Sequence, residues 1–230
     1  MKTFTRISLL GCLAVVLVAL GSVTSALPAV TSTFDTDDEG WVIQTISADP
    51  PYDLIDEYPV SWSSTAGLSG GGIYSGDVGS GGYFFSAPSK FLGDKIDYLG
   101  RSLTFDIKNS VANYDSGDSA LTMFLFGSGL KIWYSGPYPK EAYQWKHVEV
   151  PLLYSGWFSV SGDPITETTF STVMADLQGL YIDADWGWGY DVSWLDNVKM
   201  GAAPVPTSVL LFGSGLVGLV GLRGRFKKTR

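Results

Sequence analysis

Leu103-Thr104-Phe105-Asp106-Ile107-Lys108 carries an apolar side chain at every second position. Successive side chains of a strand point to opposite faces, so this period of two buries Leu103, Phe105 and Ile107 together and leaves their neighbours wet. The pattern recurs further along. Leu130, Ile132 and Tyr134 alternate with Lys131 and Trp133, and Val148, Val150 and Leu152 alternate with His147, Glu149 and Pro151. Clusters of Gly, Asp, Asn and Ser separate the runs. The expectation is an all-β fold of half-buried antiparallel strands, hence a sandwich. One segment has a different period. Phe170, Val173, Met174 and Leu177 fall at i, i+3, i+4 and i+7, which predicts one short helix near Thr168–Leu177, with Thr166 or Thr168 as its N-cap. That helix is expected to plug an edge or end of the sandwich.

Outward from this module lie two apolar segments. The chain opens with Met1-Lys2-Thr3-Phe4-Thr5-Arg6, an apolar run Ile7–Leu20 and small residues to Ala26. That is the charged region, apolar region and cleavage zone of a signal peptide, residues 1–26. Cys12 sits inside the apolar run and reads as a small apolar residue. Residues 204–230 carry Val205-Pro206, the apolar run Val209–Leu222 and five basic residues, Arg223, Arg225, Lys227, Lys228 and Arg230. They read as a single transmembrane helix with its basic end in the cytoplasm. Gly213-Ser-Gly215-Leu-Val-Gly218 matches a dinucleotide fingerprint but lacks the strand before it and the crossover after it.

Between the ends all 23 acidic residues face only eight basic ones, a net charge of −15. Such a surface repels nucleic acid and anionic headgroups and suits divalent cations and neutral partners. The single cysteine is in the leader, so no disulfide framework is available to the module.

Two resemblances add to this reading. Phe34-Asp35 with Gly40-Trp41 opens the module. There follow Tyr83-Phe84-Phe85-Ser-Ala-Pro88-Ser-Lys-Phe91-Leu-Gly-Asp94, Tyr98-Leu-Gly100, Leu103-Thr-Phe105, Trp145, Met174-Ala-Asp-Leu177 and Leu195-Asp196-Asn197-Val198. In this order they resemble a laminin B domain, also called laminin domain IV, over residues 33–201. The resemblance implies a jelly-roll β-sandwich of the carbohydrate-binding type and an interaction module with no catalytic residues. The tail resembles a PEP-CTERM sorting signal, with Val205-Pro206-Thr207-Ser208 where that family usually has Val-Pro-Glu-Pro. This implies an exosortase-type processing protease as partner. It also implies passage through the inner membrane to the cell surface or an extracellular polysaccharide matrix.

Candidate site residues are few. His147, the sole histidine, shares a strand face with Glu149 and reads as solvated. No nucleophile-elbow motif surrounds any serine. A glycosidase would need two carboxylates facing one another, which spacing alone does not decide. Asp35-Thr-Asp37-Asp38-Glu39-Gly40 starts like an EF-hand loop but has Ile46 at the twelfth position, so an acidic turn is the simpler account. Asp196 is in phase with Val192, Trp194 and Val198 and is expected to point inward. The sandwich resemblance makes Asp35 and Asp196 candidate ligands of a structural Ca2+ joining the first and last strands; a backbone hydrogen bond is the competing account. Trp186, Trp188, Tyr190 and Trp194 crowd one stretch. Trp186, Trp188 and Tyr190 are candidate ligand-binding residues if the stretch is an exposed hairpin tip, where they would stack on a neutral polysaccharide. A place in the core satisfies them equally. The Gly-rich stretch Ser69–Gly82 reads as a flexible loop.

Overall fold

The computed structural model describes residues 27–47, 49–79, 81–111, 123–136, 141–186 and 189–202. The leader, and the tail with Val205 and Pro206, lie outside these residues. No helix among the described residues is long and apolar enough to cross a membrane.

The alternating segments do form strands, and they stack as two antiparallel sheets. The N-terminal half supplies β1 (Val30–Ser32), β2 (Val42–Ile46), β3 (Leu54–Pro59), β4 (Ser61–Ser63), β5 (Gly72–Gly76) and β6 (Gly82–Ser86). The rest supplies β7 (Ser102–Asn109), β8 (Met123–Gly127), β9 (Leu130–Tyr134), β10 (Lys146–Pro151), β11 (Trp157–Ser159), β12 (Leu177–Asp183) and β13 (Val192–Ala202). One sheet runs β10-β7-β13-β5-β4 with β1 on β13; the other runs β11-β9-β8-β12-β6-β2-β3. The first strand and the last are thus joined directly, with Val30 opposite Met200 and Ser32 opposite Val198.

Between the sheets lies one large core that includes Ile43, Ile73, Phe85, Leu103, Phe105, Ile107, Leu125, Val148, Val150, Leu180 and Leu195. Large rings enter it only with their polar atoms satisfied. Trp41 Nε1 donates to Ser32 Oγ at 2.9 Å, and Trp157 Nε1 donates to the Pro151 carbonyl at 3.1 Å.

The helix, α1, spans Glu167–Ala175, and Thr166 caps it by accepting from Thr169 N at 3.1 Å. It buries Phe170, Val173 and Met174, with Phe170 5.3 Å from the Trp157 ring. Leu177, the last position of the apolar spacing, is instead the first residue of β12. Gly127 in β8 permits the close seat of α1, since a Cβ there would come within 2.5 Å of the Val173 carbonyl.

The outer face of the β11–β3 sheet is itself covered. Ile46, Phe84, Phe124, Phe126 and Tyr181 form a second buried cluster, with Tyr52 from the β2–β3 loop laid on Phe124 at 5.2 Å. Lys131 fastens that loop by donating to the Pro51 and Tyr52 carbonyls at 3.1 and 3.2 Å. The Gly-rich stretch is not one flexible loop: it contains β5, whose glycines lie close to other backbone and to Tyr190.

Candidate functional site

On the outer face of the other sheet, cross-strand register builds a partly exposed aromatic strip. Leu195, Ile107 and Ile73 turn into the core from adjacent strands, so their neighbours Trp194, Lys108 and Tyr74 turn outward in one row. Trp194 stands opposite Tyr74 on β5 and opposite Lys108 on β7. The Tyr74 and Trp194 rings lie 6.4 Å apart and 26° from parallel. Trp145, just before β10, extends the row on the far side of Lys108. The Lys108 ammonium sits 4.4 Å from the Trp194 ring and 4.7 Å from Trp145. Tyr143, 66% exposed, rests 6.2 Å from Trp194 and is anchored by its N–H, which donates to the Asn109 carbonyl at 2.7 Å. Partial burial lowers the Lys108 pKa from its ordinary value.

The three expected platform residues fare differently. Trp186 is 8% exposed and belongs to the main core, and its Nε1 donates to the Asp183 carbonyl at 3.2 Å. The hairpin-tip expectation is therefore corrected for this residue: the chain turns its ring inward before the tip. Trp188 lies outside the described residues. Tyr190 is 74% exposed and lies over Gly76, two residues along β5 from Tyr74. A Cβ at Gly76 would meet the Tyr190 hydroxyl at 2.3 Å, so the glycine makes room for this ring.

Asp196 is fully buried, but not by pointing into the core. Its side chain is on the outer face and is roofed by the loop before β5. It accepts from Leu68 N at 2.9 Å, from Asn197 N at 2.7 Å and from Asn197 Nδ2 at 3.3 Å. Burial raises its pKa while the backbone donors oppose the rise. These donors account for the buried carboxylate without a metal. Asp35 is exposed and accepts from its neighbour Thr33 Oγ1 at 2.8 Å. The acidic turn closes on itself: Asp37 accepts from Glu39 N and Asp38 from Gly40 N, both at 2.9 Å, and Glu39 pairs with Lys90. His147 is mostly exposed, as its strand phase predicts, yet its Nδ1 lies 2.8 Å from buried Asp106, whose other oxygen accepts from Asn197 Nδ2 at 2.8 Å.

Three acids that sequence reasoning did not group meet at one end of the sandwich. Ligand oxygens of Asp77, Asp185 and Asp191 all lie within 4.8 Å of one another, close enough for a single divalent cation. Asp191 is wholly buried and accepts from the Tyr83 hydroxyl, from Asn109 Nδ2 at 2.9 Å and from Trp186 N at 3.1 Å. The phenol of Tyr83 is pushed far up by burial and by this carboxylate. Burial first, then the charges of Asp191 and Asp77, raises the Asp185 pKa to about 6.

This shift makes a pH prediction. Asp185 binds its proton more tightly folded than unfolded, where its pKa is about 3.9. Its protonation stabilises the fold, and that stability is lost as pH rises through about 6. Solvent screening of this partly exposed group limits the effect to about 1–2 kcal/mol. Melting curves should therefore show Asp185→Asn more stable than wild type at pH 7, the gap about halved at pH 5 and closed only near pH 4. A pH-independent gap would refute the assignment.

A model of the laminin B (domain IV) family matches residues 84–209, more than half of the chain. The chain belongs to the laminin B family. Two animal proteins match part of this chain. The laminin subunit gamma-1 of Danio rerio is 33% identical over 103 residues, 45% of this chain and 6% of its own length. The basement membrane proteoglycan of Caenorhabditis elegans is 29% identical over 103 residues, 45% of this chain and 3% of its own. The chain thus spans a small fraction of either relative. Among solved structures, the L4b domain of human laminin alpha-2 overlays with a TM-score of 0.59 at 15% identity, covering 76% of this chain and 98% of that domain. That likeness is one of fold.

Proposed function

We propose that this laminin B module is an exported, non-catalytic binding module of an extracellular matrix or cell surface, and that it takes a polysaccharide on the aromatic strip. The observation that carries the proposal is the stacked Tyr74–Trp194 pair, flanked by Trp145 and Tyr143 on the outer face of the β7–β13–β5 sheet. The C–H face of a sugar ring is apolar and bears partial positive charge, so it stacks on the negative face of an aromatic ring. A row of rings on a rigid sheet presents that surface with little ordering cost on binding. Family membership supports a binding role, and one relative is by name a proteoglycan of the basement membrane.

The test is affinity electrophoresis through gels containing soluble polysaccharides. Trp194→Ala and Tyr74→Ala are expected to abolish retardation in variants that still melt cooperatively, because both rings lie on the outer face of the sheet and not in its core. Unchanged retardation would contradict the proposal.

The leader and tail complete the reading from sequence: export, recognition of Val205-Pro206 by an exosortase-type protease, and transient inner-membrane anchoring. Native protein lacking the residues after about Val205 is the expected mass; native protein that still carries Arg230 would contradict processing. Calcium on Asp35 and Asp196 stands as a separate proposal. The melting experiment, run with calcium and with EDTA, decides it: a calcium-dependent rise abolished by Asp196→Ala supports the site, and equal melting removes it.

A further inference from the structure

The aromatic strip has a cation at its centre, and among the described residues that cation is in no ion pair. Among the described residues the ion pairs are Lys90–Glu39, Lys131–Asp53 and His147–Asp106, and Lys108 is in none of them. Its ammonium lies between the Trp145 and Trp194 rings, which hold it by cation–π attraction. The next residue row on the same face holds two carboxylates, Asp106 and Asp196, which stand opposite each other on β7 and β13. Both are engaged elsewhere: Asp106 by His147 and Asn197, Asp196 by Asn197 and Leu68 N.

Resting on the polysaccharide reading above, we propose that Lys108 selects a carboxylated glycan: the strip stacks the sugar rings and Lys108 binds a uronate carboxylate. A neutral chain laid over Trp145, Trp194 and Tyr74 would strip water from a cation already partly desolvated and return no counter-charge. A uronate at that point replaces the lost water with a charge-assisted hydrogen bond. The net charge of −15 on the module between the two terminal segments sharpens the choice. At long range it repels polyanions, so the gain comes from one carboxylate placed against Lys108 and not from anionic charge in general.

The experiment measures binding of the full chain to galacturonan, alginate and glucuronan oligosaccharides, each beside its carboxyl-reduced, neutral counterpart. The variants are Trp194→Ala and Lys108→Met, the latter keeping the aliphatic stem packed between the tryptophans. Wild type is expected to prefer at least one uronan over its reduced form by roughly tenfold or more, the size of one charge-assisted contact. Lys108→Met should erase that preference by weakening binding of the uronan, without weakening binding of the neutral form, and the variant should stay folded with a cooperative melt. The preference should also shrink as salt is raised. Equal or better binding of every neutral form, with Lys108→Met indistinguishable from wild type, overturns the role of Lys108 while leaving the platform intact. No binding of any member, or binding that Trp194→Ala leaves untouched, overturns both the inference and the platform reading beneath it.

Discussion

Asp191→Ala is expected to destabilise the module by about 3 kcal/mol. Asp191 has no exposed surface and gathers three donors, the Tyr83 hydroxyl, Asn109 Nδ2 and Trp186 N. Asn109 keeps other acceptors, Ser193 Oγ at 2.7 Å and the Ala184 carbonyl at 3.5 Å. The buried Tyr83 hydroxyl and the Trp186 N–H lose theirs. Relief of repulsion with Asp77 and Asp185 offsets part of the cost, since all three carboxylates lie within 4.8 Å. For a module of this size the loss corresponds to a fall in melting temperature of roughly 6–12 °C. Thermal or urea unfolding checks it; a loss below about 1 kcal/mol would mean that the network is not closed as described.

Trp186→Ala should cost about 3–5 kcal/mol, the cost of truncating a large core ring. Its ring packs in the main core and only its backbone faces the acidic cluster. Tyr190→Ala, four residues on, removes a ring that is 74% exposed and should change stability by no more than about 0.5 kcal/mol. Urea midpoints of the two variants therefore separate the core residue from the surface one. Near-equal midpoints would show that Trp186 is not core.

Much of the fold was legible because local pattern and tertiary environment agree. The period of two in β7 and β10 marks the residues that the core buries, and the i, i+3, i+4 spacing marks Phe170, Val173 and Met174 on α1. Thr166 was one of two candidate caps and is the one used. The reading went astray where register interrupts the pattern. Asn197, at φ 52°, sits in an irregularity of β13 between Asp196 and Lys199, and there the alternation changes phase. Val198 and Met200 then face the core, whereas Trp194 and Asp196 face out, so a single phase across the strand misplaced Asp196. β5 was hidden because a strand that is mostly Gly and Ser carries no alternation to read.

The aromatic strip was not legible at all. Tyr74, Lys108, Trp145 and Trp194 come from segments far apart in sequence, and only the pairing of β5, β13 and β7 sets them in a row. Trp194 stood in the aromatic-dense stretch from which Trp186, Trp188 and Tyr190 were singled out. Aromatic density there reflects both a core ring and surface rings, and sequence does not separate the two. The acidic cluster has the same origin: Asp77 joins Asp185 and Asp191 because β5 ends beside the start of β13.

The binding account is tested most directly by watching the tryptophan indoles of 15N-labelled protein as oligosaccharide is added. The account predicts that the Trp194 and Trp145 Nε1–H resonances shift progressively and saturate together, while those of buried Trp41 and Trp157, and of Trp133 on the opposite sheet, stay in place. Shifts that spare Trp194 and Trp145 and fall on Trp133 would contradict it, as would no shift at any indole across the polysaccharide panel.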